Sequence, residues 1–123
     1  MKSGLQKFSI IIIFLLLGAS MNAKSQKVYT TQDITEAEIK IYVCANKNDA
    51  DLVVYQCSNV NEAIGNNGLW FFCQYKTQTK NIIGFVSSPD EAKLKIYYTT
   101  VKTEAGWLNE NKKYLLDMVP SSN

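Results

Sequence analysis

Hydrophobic and polar positions recur along this chain in units of about thirteen residues. Each unit opens on an apolar run. A small residue follows eight positions after the third residue of the unit, and an acid or an amide directly precedes it. Self-similarity at a fixed spacing is the signature of a repeat architecture. The six units span residues 27–39, 40–52, 53–69 (with an insertion), 69–81, 82–94 and 95–107.

The first part of each unit predicts a β-strand. Five of the six units have an aromatic residue at the third position, and β-branched residues surround it. This composition is typical of strands of about five residues. The alternating positions are apolar on both sides, so we expect both faces to be buried and the aromatic rings to lie in the core. The third-position residues are Tyr29, Tyr42, Tyr55, Phe71, Gly84 and Tyr97.

The second part of each unit predicts a capped helical turn. A polar residue is followed three residues later by an acid, which is the spacing of the capping box. Pro89 occupies the first helical position of the fifth unit, where its missing N–H costs nothing. Tyr75 and Val101 stand at the cap position of two units and break the rule. The cap and acid pairs are Asp33 with Glu36, Asn46 with Asp49, Asn59 with Glu62, and Ser88 with Glu91.

Strands and turns together predict one small α/β domain built from six repeats. Its strand spacing is unusual, because parallel strands normally need a connection of a dozen or more residues and only about eight separate these strands. Three arrangements are open. The units alternate in direction, they wind as a tight solenoid, or the chain follows a less ordinary path.

The start of the chain has the pattern of a secretory signal peptide. Lys2 and Lys7 precede an apolar segment at 9–17, and small residues follow at 18–20. The apolar segment is shorter than the roughly 20 residues that span a membrane, so we favour a cleaved signal over an uncleaved anchor. Cleavage follows Ser25 or Ala23. We therefore predict a signal peptide at 1–25, a single domain at 26–123, and a secreted or periplasmic protein without a membrane span after cleavage.

Several segments resemble the septknot domain, an uncharacterised bacterial family of short repeats. They are the units themselves, the Gly-Asn-Asn-Gly insert at 65–68, the Ala-Gly-Trp ending at 105–107 and Lys-Lys-Tyr-Leu-Leu at 112–116. The resemblance covers about residues 29–116. It implies a small mixed domain whose backbone forms a deep torus knot with seven crossings, although folded chains almost never form knots. It implies no activity, and Gly84 and Thr79 depart from the family's pattern.

Charge and composition exclude several classes of function. From residue 27 onward, ten lysines face eleven acids, a formal charge of −1, although the whole chain carries +2. This balance gives no reason to expect a nucleic-acid partner, which requires clustered positive charge. The chain has no histidine, so His-dependent triads and the commonest metal ligand are absent. No phosphate-binding glycine loop is present, and we expect no cofactor, no metal site and no catalytic residue.

The repeated acids and three cysteines each allow two interpretations. The acids could form a carboxylate ring for acid–base chemistry or cation binding, but the capping box already accounts for them. Cys44, Cys57 and Cys73 occupy equivalent positions in three units. They could form a stack of thiols with one disulfide, or they could be small apolar core residues. An odd number leaves at least one thiol unpaired.

The insert of the third unit is the predicted recognition surface. Asn66 and Asn67 lie between glycines, which indicates an exposed turn. Trp70 belongs to the adjacent apolar run, and we expect one of its faces to be open to solvent. The alternative is that the insert only gives the chain room to change direction. We predict a secreted, non-enzymatic binding or structural module. The alternatives are a hydrolase or lyase, or a toxin or inhibitor, and a protein partner or self-association is open.

Overall fold

The computed structural model describes residues 24–120. The predicted signal peptide therefore lies outside the described residues, except for Lys24 and Ser25, which form a strand. Short strands and short 3-10 helices make up most of this range. The helices are Ile34–Glu36, Lys47–Asp49, Val60–Glu62, Lys76–Gln78, Pro89–Glu91 and Lys102–Glu104, each of one turn, and Glu110–Leu115, of two turns. The strands are β1 (Lys24–Ser25), β2 (Lys27–Thr30), β3 (Ile39–Val43), β4 (Leu52–Gln56), β5 (Leu69–Phe72), β6 (Ile82–Phe85), β7 (Leu94–Tyr98), β8 (Gly106–Trp107) and β9 (Val119–Pro120).

Each of the six units folds as a strand followed by one helical turn, as its sequence predicts. The α part of the predicted α/β class is wrong, because the described turns are 3-10 helices. In the first unit the amide of Ala37 already bonds back to the carbonyl of Ile34, and Ala37 itself is extended. The chain must return to the start of the next strand within about eight residues. A 3-10 turn rises more per residue than an α-helix and suits such a short connection.

The six repeat strands form a closed parallel barrel. The order around it is β5-β2-β6-β3-β7-β4, and β4 also pairs with β5, which closes the ring. Strands that follow each other in sequence are separated by one other strand, except β4 and β5, which are adjacent. The alternating-direction arrangement is therefore wrong. The later units fill the gaps between the earlier ones, so the chain winds around the barrel more than once.

Each connection crosses the outside of the strand that it skips. The turn Ile34–Glu36, for example, joins β2 to β3 and packs across β6, which lies between them. Gly84 is the residue beneath this turn. A Cβ atom at Gly84 would lie 2.6 Å from Ile34 Cδ1 and 2.8 Å from Ala37 Cβ. This close approach explains why the fifth unit has glycine where the other units have an aromatic residue.

We expect Gly84→Ala to lower the free energy of unfolding by about 2 kcal/mol, because the new methyl group overpacks the crossing. Ile34→Val removes the Cδ1 atom nearest to that methyl group. The double variant should therefore recover part of the loss, and chemical denaturation of the three variants measures it. Equal stability of Gly84→Ala and the unsubstituted protein would contradict the close crossing.

Ile39, Leu52 and Leu94 extend the core toward the amino ends of their strands, and most of the core is built from the second residue of each unit. These six side chains are 0% exposed and point into the barrel. The residue after each of them faces outward because side chains alternate along a strand. The third-position aromatic residues are accordingly half-buried on the outer surface, and the prediction that they form the core is wrong. The inner residues are Val28, Ile41, Val54, Trp70, Ile83 and Ile96.

The segment after β8 closes the barrel at the amino ends of its strands. We call residues 108–118 the tail. Leu116 of the tail is 4% exposed and belongs to the core cluster. Asn81, just before β6, exchanges hydrogen bonds with the backbone of Asp117 at 2.7 and 2.8 Å. The tail then continues into β9, which pairs antiparallel with β1.

Candidate functional site

The carboxyl ends of the six barrel strands remain open. The fourth residue of each unit lies there, and strand register places it on the inner face. Val43 is level with Ile96, and Phe85 with Ile41, both core residues. In a parallel pair, residues at the same level point to the same face. We call these fourth residues the open rim, and they are Thr30, Val43, Gln56, Phe72, Phe85 and Tyr98.

Three members of the open rim expose large apolar side chains. Val43 and Phe85 are each 40% exposed, and Tyr98 is 37% exposed. Phe72 packs inward against the core, with its ring 6.0 Å from that of Trp70 in an edge-on arrangement. Burial raises the pKa of the Tyr98 hydroxyl. The rim is thus the uncovered end of the same core that the tail closes at the other end.

The loops that follow the open rim carry almost no charge. They comprise residues 31–33, 44–46, 57–59, 73–75, 86–88 and 99–101, and Asp33 is their one charged residue. Its carboxylate accepts hydrogen bonds from the Thr35 side chain at 2.6 Å and the Thr35 amide at 3.0 Å, and these bonds lower its pKa. Amide, hydroxyl and aromatic side chains make up most of the remainder. Two carboxylates from the turns beyond, those of Glu62 and Glu104, accept hydrogen bonds from Ser58 and Thr99 of these loops. The loops themselves contain no lysine, so this end of the barrel suits an uncharged partner better than an anionic one.

A groove of about 370 Å³ opens beside the rim where β4 and β7 end. Tyr55, Gln56, Tyr98, Thr99 and Thr100 line it. The fourth position was not identified from the sequence. The sequence does contain a signal for the fourth position. It lies two residues after the buried second position, so the two positions share one face of the strand.

Two other grooves lie on the outer surface. One, of about 520 Å³, begins at Cys44 in the loop after β3 and is also lined by Asp49 and Lys95. The other, of about 330 Å³, contains both acids and lysines, among them Glu38 and Lys93. Their mixed charges distinguish them from the uncharged groove at the rim.

The predicted recognition residues do not form one surface. Trp70 is 0% exposed, and its indole N–H donates to Gln26 Oε1 at 2.9 Å within the core. The prediction that Trp70 has a face open to solvent is therefore wrong, because its position is the inward second position of the fourth unit. Asn67 is exposed, and binding through Asn67 remains a prediction.

Asn66 joins three separate parts of the chain. Its Oδ1 accepts from Gln26 Nε2 at 2.8 Å, and its Nδ2 donates to the carbonyls of Lys113 at 3.1 Å and Leu116 at 3.4 Å. Its backbone carbonyl accepts the indole N–H of Trp107 at 2.9 Å. The insert thus connects the first strands to the tail, which supports the alternative of an insert with a structural role.

The repeated acids do not converge. Glu62 accepts from the amide of Ser58 at 3.1 Å, one residue before the predicted cap. Asp33 and Ser88 cap their turns, but they accept the amide two residues on, from Thr35 and Asp90, and not the third amide of the predicted capping box. No cap hydrogen bond of Asn46 or Asn59 is found within 24–120. The cap prediction is wrong at these two asparagines. Across the described residues, no three His, Cys, Asp or Glu side chains are grouped as metal ligands would be.

The three thiols are unpaired and weakly acidic. Cys44 and Cys57 are buried, Cys73 is half-buried, and all three are free. Burial raises the pKa of each thiol, which lowers the fraction of reactive thiolate at neutral pH. Cys44 follows β3 and Cys57 follows β4, and β7 lies between these two strands. Cys44 and Cys57 therefore do not stack. The interpretation as small core residues fits Cys44 and Cys57.

Asp51 is the charged contact that holds the tail. Its carboxylate accepts from the Lys95 amide at 2.9 Å, from Lys112 Nζ at 3.2 Å and from Asn109 Nδ2 at 3.3 Å. Its backbone carbonyl accepts the amides of Leu108 and Asn109. Burial opposes the charged form of Asp51, but these hydrogen bonds and the lysine charge outweigh it and lower its pKa.

We expect the tail to loosen in acid. A carboxyl with a lowered pKa stabilises the folded state above its ordinary pKa of 3.8, and this contribution is lost as pH falls through the lower folded value. Amide hydrogen exchange of residues 108–118 should therefore accelerate below about pH 4, relative to the core strands. In the Asp51→Asn variant, the increase in exchange of the tail on acidification should be smaller. An unchanged pH profile in that variant would contradict the assignment.

Comparison with known proteins identifies one relationship. The model of the family described as the 7(1) septoil knot domain matches residues 25–108. No curated protein and no solved structure gives a match. Within residues 24–120, no helix has the length and hydropathy of a membrane-spanning segment.

Proposed function

The chain belongs to the septoil knot domain family, and from this premise we propose that it is a secreted, non-enzymatic binding module that holds its ligand at the open rim. The observation that carries this proposal is the difference between the two ends of the barrel. The tail covers one end, whereas the other exposes Val43, Phe85 and Tyr98 within uncharged loops. Exposed apolar groups surrounded by polar residues are typical of binding sites.

The ionisable groups support a non-enzymatic role. General acids and bases need pKa values moved toward neutrality. The pKa values of Asp33 and Asp51 move in the opposite direction, and those of the thiols rise. The two carboxylates that do share a groove, Glu38 and Glu91, stand there with Lys40 and Lys93, which balance their charge.

Secretion rests on the amino-terminal pattern, and the structure favours one cleavage site. Lys24 and Ser25 form β1, and the Ser25 hydroxyl donates to the Val60 carbonyl at 3.0 Å. Cleavage after Ala23 keeps this strand, whereas cleavage after Ser25 removes it. We therefore expect the mature protein to begin at Lys24. Amino-terminal sequencing of the envelope or culture protein tests this, and a cytoplasmic protein beginning at Met1 would contradict it.

The knot is the second part of the proposal. Its support is the family's description and the interleaved strand order, in which later units lie between earlier ones. The ends of the domain lie side by side in the β1–β9 pair, so a short linker can join them. The experiment closes the chain of residues 24–120 into a ring in two ways, once in the folded state and once in denaturant.

The two rings have the same covalent structure and differ only in topology. A ring closed in the folded state retains any knot, so in denaturant it should migrate as a more compact species. The ring closed in denaturant should be larger and should fail to refold. If both rings migrate and refold alike, the chain is not knotted.

Binding at the rim is tested by differential retention. Immobilised mature protein is exposed to its own envelope or culture fraction, and the retained components are compared with those of Phe85→Ser and Tyr114→Ser. Tyr114 lies in the tail and is 77% exposed, so it serves as the control. Components lost with Phe85→Ser but kept with Tyr114→Ser support binding at the rim. Identical retention by all three proteins would rule it out.

A further inference from the structure

We propose that the groove between the ends of β4 and β7 binds the ring of an uncharged saccharide, an inference that rests on the proposed function. The two strands are direct neighbours, with Val54 level with Tyr98, so their carboxyl ends form one continuous wall. The groove volume of about 370 Å³ lies within the range of small-ligand sites. The uncharged lining is the main argument for the ligand class.

The lining offers the two kinds of contact that a sugar ring uses. Tyr55 and Tyr98 supply aromatic faces with a polar tip, against which the C–H face of a sugar can pack. Gln56 supplies an amide that both donates and accepts, and Thr100 supplies a hydroxyl, which together match neighbouring sugar hydroxyls. None of the five lining residues carries a charge that could pair with a charged ligand. The nearby Glu104 carboxylate, which accepts from the Thr99 hydroxyl, would also repel an anion.

The polar groups of the groove are available to a ligand. Among the described residues, none forms a hydrogen bond with the Gln56 amide or with the Tyr55 and Tyr98 hydroxyls. Thr99 is already engaged, since its hydroxyl donates to Glu104 Oε1 at 2.9 Å and accepts from the Val101 amide at 3.1 Å. These bonds fix the loop that carries Thr100. The loop beside the groove is therefore held in place before a ligand arrives, which limits the entropy cost of ordering it.

The other surfaces fit a neutral sugar less well. Of the two other grooves, one has a single aromatic residue in its lining, Tyr42, and the other has none, so neither offers the pair of rings against which a sugar can pack. A second copy of the chain, or another folded protein, would need to cover about 800 Å² on each partner. Five residues around one groove are a small part of such an interface, whereas they suffice to surround a sugar ring.

The binding experiment uses the mature protein and titration calorimetry. The ligands are neutral oligosaccharides of glucose, mannose, galactose and N-acetylglucosamine, with uronic-acid and sulfated analogues for comparison. We expect at least one neutral series to bind with a Kd of about 1 mM or tighter. Gln56→Ala and Tyr98→Ala should each weaken binding by about tenfold or more. Tyr75→Ala, on a separate exposed loop, should leave the affinity unchanged.

Three outcomes would overturn the inference. They are no binding of any neutral series, tighter binding of the charged analogues, or binding that Gln56→Ala and Tyr98→Ala leave intact. If envelope components are retained through the rim but no saccharide binds, the saccharide inference is refuted and the proposed binding module is still supported. If the protein shows neither rim-dependent retention nor saccharide binding, the saccharide inference and the binding module are both refuted. Self-association abolished by Phe85→Ser, without saccharide binding, would identify a second copy as the occupant.

Discussion

Leu116→Ala is expected to destabilise the domain by about 2–5 kcal/mol, the usual cost of removing a buried leucine side chain. Leu116 is 4% exposed and belongs to the cluster that fills the barrel. It comes from the tail, so its loss opens a cavity at the amino end of the barrel and weakens the attachment of the tail. Chemical denaturation gives the change in unfolding free energy.

Tyr114→Ala is the matched control for Leu116→Ala. Tyr114 lies two residues earlier in the same tail and is 77% exposed. Its replacement should change the stability by less than about 0.5 kcal/mol. If the two variants are equally stable, the tail does not contribute to the core. A second measurement, hydrogen exchange of the β6 amides, should show faster opening in Leu116→Ala, because Asn81 connects the start of β6 to the tail.

The strands and turns could be predicted because their signals are local. Each unit contains a β-branched and aromatic run followed by a short polar segment, and both features act within thirteen residues. The type of the turn is harder to predict than its length, since α and 3-10 helices share cap residues. The short connection, rather than helix propensity, selects the 3-10 form.

The closure of the barrel could not be predicted because its strand pairs are remote in sequence. Ile41 pairs with Leu94 and with Phe85, and Val28 pairs with Phe72. The composition of a strand does not specify which strand lies beside it. Side chains alternate along a strand, however, so the second and third positions of a unit lie on opposite faces of the sheet. The aromatic residues were assigned to the core for their size, whereas the barrel interior takes mostly β-branched side chains at the second position.

Local sequence patterns also do not predict the buried polar contacts. Asp51, Asn66 and Asn81 look like ordinary loop residues in the sequence. Each of them contacts the tail, at sequence separations of 36 to 61 residues. The other five units have alanine where the fourth unit has Thr79, and the Thr79 hydroxyl donates to the Lys27 carbonyl at 2.6 Å. Gly84 and Thr79 are thus local adaptations of one repeated unit.

Asn66→Ala is expected to cost about 3 kcal/mol of unfolding free energy, whereas Asn67→Ala should cost less than about 0.5 kcal/mol. Asn66 satisfies Gln26 Nε2 and the carbonyls of Lys113 and Leu116. Alanine would leave these partly buried groups without their partner, and each such loss costs about 1–3 kcal/mol. Asn67 is exposed and provides the neighbouring control.

The two substitutions separate a structural insert from a binding insert. If Asn66→Ala is strongly destabilised and Asn67→Ala is stable with unchanged retention of envelope components, the insert serves to join the first strands to the tail. If Asn67→Ala is stable but loses those components, recognition includes the insert as well as the open rim. Equal stability of all three proteins would contradict the role of Asn66 as the junction. Gln26→Ala gives an independent check, because it removes the partner shared by Asn66 and Trp70 and should be destabilising for the same physical reason.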